Sequence, residues 1–543
     1  MASGLTTAML VFAGAAVVIA AINLVCYLPW QGSVARYWDE AALIQGTEKT
    51  GFPTGEDVIK GEYAVLKYGY ALPYWCLRHW TSAAPAPALG MAWFVVMLAA
   101  PFVTPLFRIQ GRFSVIGALA WVGAMLSLPI VNKYIGMANP TIQSMGLWLL
   151  LVLFYGAPNA VRRRWMIVPG LLSGLLILTD YKWLSFSAAG ILAIELWEQW
   201  LIDRQTGRFW ARETIMTLAR RLGLTALWAA AVVAVAAIVN PLYLPSIIHY
   251  VTAPTHIDAF RPSLSWNLLI FLWVLGGFWA FGWTLWQQWL RRREDSFNDD
   301  PSARIIRRAV IMGAVICIGF SVIFWPRSAR MFAPAVVIGL LVFARLAGQA
   351  AAELETGSRR ARFAAILLTL ILAGISVRAL QAGDYYKSED GIRKLSDFIQ
   401  DHPDQFPPQP MGCYAPPIFR VNVSDAHEWL FLPAPVPSTL SWVVTSEVFD
   451  RVIIDEQYLF GNRPWDWRSK SLGIREKLAA AGPAMISFPC DFYASPYYLC
   501  ESNYSDAELT FMLDEAREVD KPTWDLRYIG SLFGPQAPGV STP

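Results

Sequence analysis

About eleven stretches of roughly twenty mostly apolar residues follow one another along this chain, and such stretches are the length a helix needs to cross a bilayer. They lie near 7–29, 87–107, 113–131, 142–158, 165–180, 183–200, 222–242, 266–290, 309–325, 332–350 and 362–380. In lipid every backbone polar group must be satisfied within its own segment, so the runs predict helices. Composition agrees: 55% of the 543 residues are hydrophobic, only 16% are charged, and mean hydropathy is +0.39. A net charge of +3 gives no reason to expect a nucleic-acid partner. The first run has no Lys or Arg before it and is long enough to span, so it reads as a retained helix rather than a signal peptide.

Basic residues set the expected orientation. Arginines crowd the connections after even-numbered runs: Arg108 and Arg112, then Arg162 to Arg164, then Arg204, Arg208, Arg212, Arg220 and Arg221. Arg291 to Arg293, Arg304, Arg307, Arg308, Arg359, Arg360 and Arg362 continue the pattern. These connections are therefore expected in the cytoplasm, with the N-terminus inside. An odd number of spans then places 381–543 outside. That tail changes character, with "DHPDQFPPQP" and "PAPVPS" between short β-branched runs such as "RVIID". It reads as a small mixed α/β domain, giving a division into a membrane region 1–380 and an outer domain 381–543. Cys490 and Cys500 are close enough in sequence for a disulfide, with free buried thiols the equal alternative.

With that orientation the outer connections are unusually polar. The first, 30–86, opens with "ARYWDEAALIQG", where Asp39 and Glu40 adjoin Tyr37 and Trp38. It continues through "GEDVIKGEYAVLKYGYALPYW", in which Ile59, Tyr63, Leu66 and Tyr70 recur at helical spacing and predict a helix along the interface. Later outer connections offer Lys133 and Tyr134, Asp180 and Lys182, His249, His256, Asp258 and Arg261, and Arg327 and Arg330. Ionisable groups at membrane depth pair or line a wet cavity. If these converge, the site has an acidic end suited to deprotonating a hydroxyl or holding a metal. Its cationic end suits a phosphate. Each residue also has an ordinary role: span-end Lys and Arg anchor in the interface, and boundary Trp and Tyr form the aromatic belt. No phosphate-binding glycine loop, His-Glu-x-x-His or cysteine ligand set occurs.

The order of "YWDEAALIQG", "KYGYALPYW", "YIGMANPTIQSMGLWLLLVLFYG", "RRRWMIVPGLLSGLLILTDYKWLSF" and "RSARMFAPAVVIGLLVFA" resembles the GT-C membrane glycosyltransferases, of the protein O-mannosyltransferase and aminoarabinose transferase type. The resemblance covers most of 1–350 as a layout. It implies an α-helical polytopic fold of the inner membrane, with a periplasmic C-terminal domain. It implies transfer of a sugar from a polyprenyl-phosphate donor to a lipid, glycan or protein hydroxyl on the outer face. In those terms Asp39 is the base, Glu40 its neighbouring acid, and Arg327, Arg330 and Lys182 meet the donor phosphate. Lys67, Tyr68, Tyr74, Lys133, Tyr134 and His256 are candidate substrate contacts. No organic cofactor is implied; a divalent ion such as Mg or Mn would fall to Asp39 or Glu40. Three positions depart from the pattern: Thr141 where an acid is common, Lys182 displaced by two from Thr179-Asp180, and Met331 after Arg330. They keep open an inactive scaffold or accessory subunit of a membrane assembly. A transporter or flippase of lipid-linked substrates is a third reading, against which stands the lack of paired repeats.

Overall fold

The computed structural model describes residues 2–27, 43, 47, 67–81, 84–109, 111–156, 167–180, 183–206, 212–241, 243–252, 301–322, 329–354 and 359–386, and strands at 411–413, 429–431, 451–455, 486–490 and 495–501. Every apolar run except 266–290, which lies outside these residues, coincides with a helix. Five helical segments are long and apolar enough to cross a membrane: Ser3–Cys26, Pro85–Val103, Ile215–Val239, Ala333–Leu354 and Ala361–Leu380. The protein is a polytopic α-helical membrane protein.

The helices are α1 (Ala2–Tyr27), α2 (Tyr68–Trp80), α3 (Pro85–Ala99), α4 (Val115–Leu126), α5 (Pro129–Tyr134), α6 (Thr141–Gly156), α7 (Ile167–Thr179), α8 (Trp183–Thr206), α9 (Arg212–Val239), α10 (Tyr243–Thr252), α11 (Pro301–Val322), α12 (Ala329–Leu354) and α13 (Arg359–Tyr386). A short antiparallel pair, β1 (Arg108–Ile109) and β2 (Arg112–Phe113), joins α3 to α4 and turns at Gly111, whose φ of 79° suits glycine. Arg345 of α12 ties this hairpin down, its Nη1 donating to the carbonyls of Leu106 (2.8 Å) and Arg108 (2.7 Å).

Three runs give helices shorter than expected. The run 113–131 breaks into α4 and α5, because Pro129 lacks an N–H and pushes Leu128 into extended backbone (ψ 117°). Helices α6 and α7 have 16 and 13 residues. At 1.5 Å per residue they reach about 24 and 20 Å, short of a ~30 Å hydrocarbon core. Helix α6 also lies inside the bundle, buried on nearly every side, with Trp148, Leu149, Leu151 and Val152 at 0% exposure. The interface helix predicted from Ile59 onward is described only from Tyr68, where α2 begins; Ile59, Tyr63 and Leu66 lie outside the described residues.

Small residues bring the helices together. A Cβ at Gly174 would stand 2.6 Å from Cβ of Val232, and one at Gly170 2.6 Å from Cβ of Trp228, so α7 and α9 touch almost backbone to backbone. Helices α1 and α13 are joined by Asn23 Nδ2 donating to the Ala379 carbonyl (2.8 Å) and Ser376 Oγ donating to that of Phe12 (2.7 Å).

The chain divides into two compact units, one of Met1–Val25 and Gly46–Ala382, the other of Cys26–Gln45 and Gly383–Pro543. In the second, β3 (Met411–Cys413), β4 (Trp429–Phe431), β5 (Arg451–Asp455), β6 (Ile486–Cys490) and β7 (Ser495–Glu501) form a mixed sheet in the order β4-β3-β5-β7-β6. Its register speaks against the Cys490–Cys500 disulfide. Cys490 pairs with Ser495, while Cys500 pairs with Val452 on the other side of β7. Five residues of strand separate Ser495 from Cys500, about 17 Å, and a disulfide needs Cα atoms within about 7 Å.

Candidate functional site

Four connections meet at the end of the helical unit opposite the arginine-rich ones. Lys67 is the N-cap residue of α2 and is 7% exposed; its carbonyl accepts from the N–H groups of Tyr70 and Ala71, both at 2.8 Å. Tyr68 follows, buried, its ring stacked on Tyr243 with centroids 4.9 Å apart and planes 16° off parallel. Asn240 Nδ2 donates to the Tyr68 hydroxyl. Gly69 lets this turn press on the end of α7: a Cβ there would fall 2.7 Å from Thr179 Oγ1 and 2.9 Å from its backbone nitrogen. Gln143 Nε2 donates to the Gly69 carbonyl (2.8 Å), and the Tyr70 hydroxyl to that of Met137 (3.1 Å). Segments 67–70, 137–143, 179–180 and 240–243 are thereby held as one polar cluster.

Two Asn-Pro dipeptides shape it. Asn139 precedes Pro140, and its Oδ1 accepts from the Thr141 N–H (3.0 Å) and hydroxyl (2.6 Å), closing the start of α6. Asn240 precedes Pro241 at the end of α9; its carbonyl accepts from the Tyr243 N–H (2.9 Å), turning the chain into α10. Both asparagines are buried, at 3% and 5% exposure.

Among the described residues Tyr243 is the one phenol with no exposure at all. Its side chain is 0% exposed, among Leu178, Ala236 and Tyr68, and its hydroxyl has no hydrogen-bond partner among the described residues. It lies outside the candidate spans. Burial, then the neighbouring Tyr68 and Asp180, push its pKa above the usual phenol range, so it stands as a neutral donor. An unfolded chain releases this proton near pH 10, whereas the folded one retains it. The contribution to stability is therefore complete below about pH 10 and is lost as pH rises beyond that. Tyr243→Phe is expected to melt like wild type at neutral pH, since the hydroxyl has nothing to lose. Above about pH 10 the variant should melt at the higher temperature. Thermal unfolding followed across that range checks it; a variant already weakened at pH 7 would show that the hydroxyl is partnered.

Of the residues singled out from sequence, Lys67 and Tyr68 are in this cluster. Tyr74 lies about one turn beyond Tyr70 on α2, buried at 5%, with ring centroids 6.1 Å apart. Tyr134, 9% exposed, ends α5 and accepts at its carbonyl from Met137 N (3.2 Å). Lys133 and Arg330 sit on α5 and α12, but their side chains, with Asp39, Glu40, Lys182, His256 and Arg327, lie outside the described residues. Among the described residues no group of three His, Cys, Asp or Glu could hold a metal ion. Asn139, Gln143, Asn240 and Tyr243 were not anticipated from sequence. The repeated Asn-Pro, just before α6 and just after α9, was the signal that could have found the asparagines.

No protein-family model and no curated protein matches the chain. Among solved structures, the crystal structure of ArnT from Cupriavidus metallidurans in the apo state is similar, with a TM-score of 0.49 and 12% identity. The alignment covers 91% of this chain and 98% of that one.

Proposed function

We propose that the protein is a membrane glycosyltransferase that moves a sugar from a polyprenyl-phosphate carrier to a hydroxyl acceptor at the outer face of the inner membrane. One observation carries the reading. The buried polar cluster joins four separate connections at one end of the helices, and it includes Lys67 and Tyr68 of the first outer connection. Buried polar groups gathered at membrane depth are costly and mark a substrate site by default.

In this reading the acceptor oxygen attacks the anomeric carbon as the bond from that carbon to the phosphate oxygen breaks, with inversion. Asp39 takes the acceptor proton, with Glu40 beside it. Negative charge passes to the departing polyprenyl phosphate, where Arg327, Arg330 and Lys182 would receive it; stabilisation aimed at developing charge is often the largest catalytic term. Lys67 and Tyr68 would border the sugar and phosphate, with Tyr243 packed behind Tyr68. The acceptor class, lipid, glycan or protein, is open in this proposal, and the 381–543 region is its natural selector.

One observation favours the scaffold reading instead. Thr141, at the position where the resembled family often has an acid, is turned onto Asn139 through both its N–H and its hydroxyl. One experiment separates the two: lipid mass spectrometry on the purified protein, wild type beside Arg330→Ala. A co-purifying polyprenyl phosphate or its glycosylated form, retained by wild type and lost by the variant, is the expected result. Equal lipid content in both would remove Arg330 from the donor site. If neither carries such a lipid and purified donor sugar is not transferred, the scaffold reading takes over, and capture of partner subunits becomes the next assay.

A further inference from the structure

Asn240 can neither take up nor release a proton at ordinary pH, yet it is buried in the outer polar cluster with its backbone fully engaged. Helix α9 stops before it because Pro241 follows. Its N–H donates to the Ala236 carbonyl and its carbonyl accepts from the Tyr243 N–H, both at 2.9 Å. The helix behind it has 28 residues and is held along its length. Arg221 Nη1 lies 3.3 Å from a carboxylate oxygen of Glu195 on α8, and α7 packs on α9 at Gly170 and Gly174. Helix α8 is joined in turn to α11, where Arg308 Nη2 lies 2.9 Å from Glu198. The Asn240 amide thus projects from a fixed support.

What the amide holds is Tyr68. Nδ2 donates to the phenol oxygen, while the Tyr68 ring lies flat on Tyr243, and Leu178 and Ala236 close around both. Tyr68 is the first residue of α2, and the residue before it is Lys67, whose φ of −79° and ψ of 57° make a tight turn. A turn residue takes its direction from the neighbours that fix the turn. On the helix side, Gly69 presses on Thr179 and its carbonyl accepts from Gln143 at 2.8 Å. The fixture next to Lys67 itself is the bond from Asn240 to Tyr68. That bond also has a chemical effect, since a phenol oxygen that accepts a hydrogen bond becomes a stronger donor of its own proton.

We propose that Asn240 is a positioning residue, which through Tyr68 sets the direction of the Lys67 ammonium within the outer polar cluster. The consequence for transfer rests on the donor-site reading above: a lysine held in one orientation meets the donor without the cost of being ordered first.

Two measurements on the full chain in nanodiscs test this. The first is the rate of reductive methylation of Lys67, followed by peptide mass spectrometry, which needs no substrate. Wild type should modify Lys67 slowly, since the residue is 7% exposed. Asn240→Leu should raise that rate by up to about tenfold, the equivalent of one lost hydrogen bond, and leave the other lysines unchanged. Tyr68→Phe keeps the stack on Tyr243 and removes the accepting oxygen, so it should do the same. The double variant should be no faster than either single one, because both remove one interaction. An unchanged Lys67 rate in both single variants overturns the proposal. So do additive increases in the double variant, or a rise shared by every lysine, which reports a general loosening of the fold. The second measurement is transfer kinetics, in which Asn240→Leu should raise KM for the polyprenyl-phosphate sugar by a similar factor and change kcat less. A protein that transfers no sugar, yet whose Lys67 rate rises in both variants, keeps the positioning role and loses the transferase reading.

Discussion

Asp39→Asn is expected to abolish sugar transfer while the protein inserts, purifies and melts as wild type does. A positioned base contributes about 10² to 10⁴ in rate, and an amide keeps the shape but accepts no proton. The loss should fall on the chemical step, so donor lipid is still retained by the variant. Because Asp39 adjoins Glu40, Glu40→Gln is the companion measurement. If Asp39→Asn transfers at the wild-type rate and Glu40→Gln does not, the base is the second acid. If both remain active, neither is. The readout is single-turnover transfer from purified polyprenyl-phosphate sugar, with unfolding temperature alongside.

Glu198→Ala is expected to destabilise the protein by about 3–5 kcal/mol, the usual loss when one partner of a buried ion pair is removed. Arg308 has no exposed surface, so its guanidinium cannot reach water when Glu198 is gone. The paired replacement Glu198→Leu with Arg308→Leu should recover most of that loss, because it removes both charges and both desolvation costs. A double variant as unstable as the single one would mean that the pair's worth lies in its geometry rather than in compensating charge. By contrast Glu195→Ala should cost less, since the Arg221 side chain is 15% exposed and can find water. Unfolding in a fixed detergent, at matched lipid content, distinguishes these cases.

Much of the tyrosine cluster was out of reach from sequence for a definite reason. "KYGYALPYW" pointed to Lys67 and Tyr68 because polar residues at a span boundary are conspicuous in one dimension. Their partners are not conspicuous. Tyr68 bonds Asn240, 172 positions away, and Gln143 reaches Gly69 across 74. Tyr243 sits in an apolar-looking stretch, "NPLYLPSII", where a tyrosine reads as interfacial belt. His249 and Asp258 drew attention in the same connection only because they are charged or titratable.

The existence and order of the apolar helices were legible because a bilayer demands about twenty apolar residues per crossing. That is a one-dimensional rule, and helices α1, α3 to α9 and α11 to α13 follow its order. Where the runs proved shorter, a local cause such as Pro129 or enclosure within the bundle overrode it. Which side chains meet was decided only in three dimensions. Gly69 against Thr179, and Gly170 and Gly174 against α9, set the distances at which α2, α7 and α9 pack. Those contacts bring Tyr68 onto Tyr243, while the packing of α8 with α9 and α11 sets Arg308 against Glu198. Hydropathy is a property of each residue in turn, whereas stacking and ion pairing belong to pairs that only close packing creates.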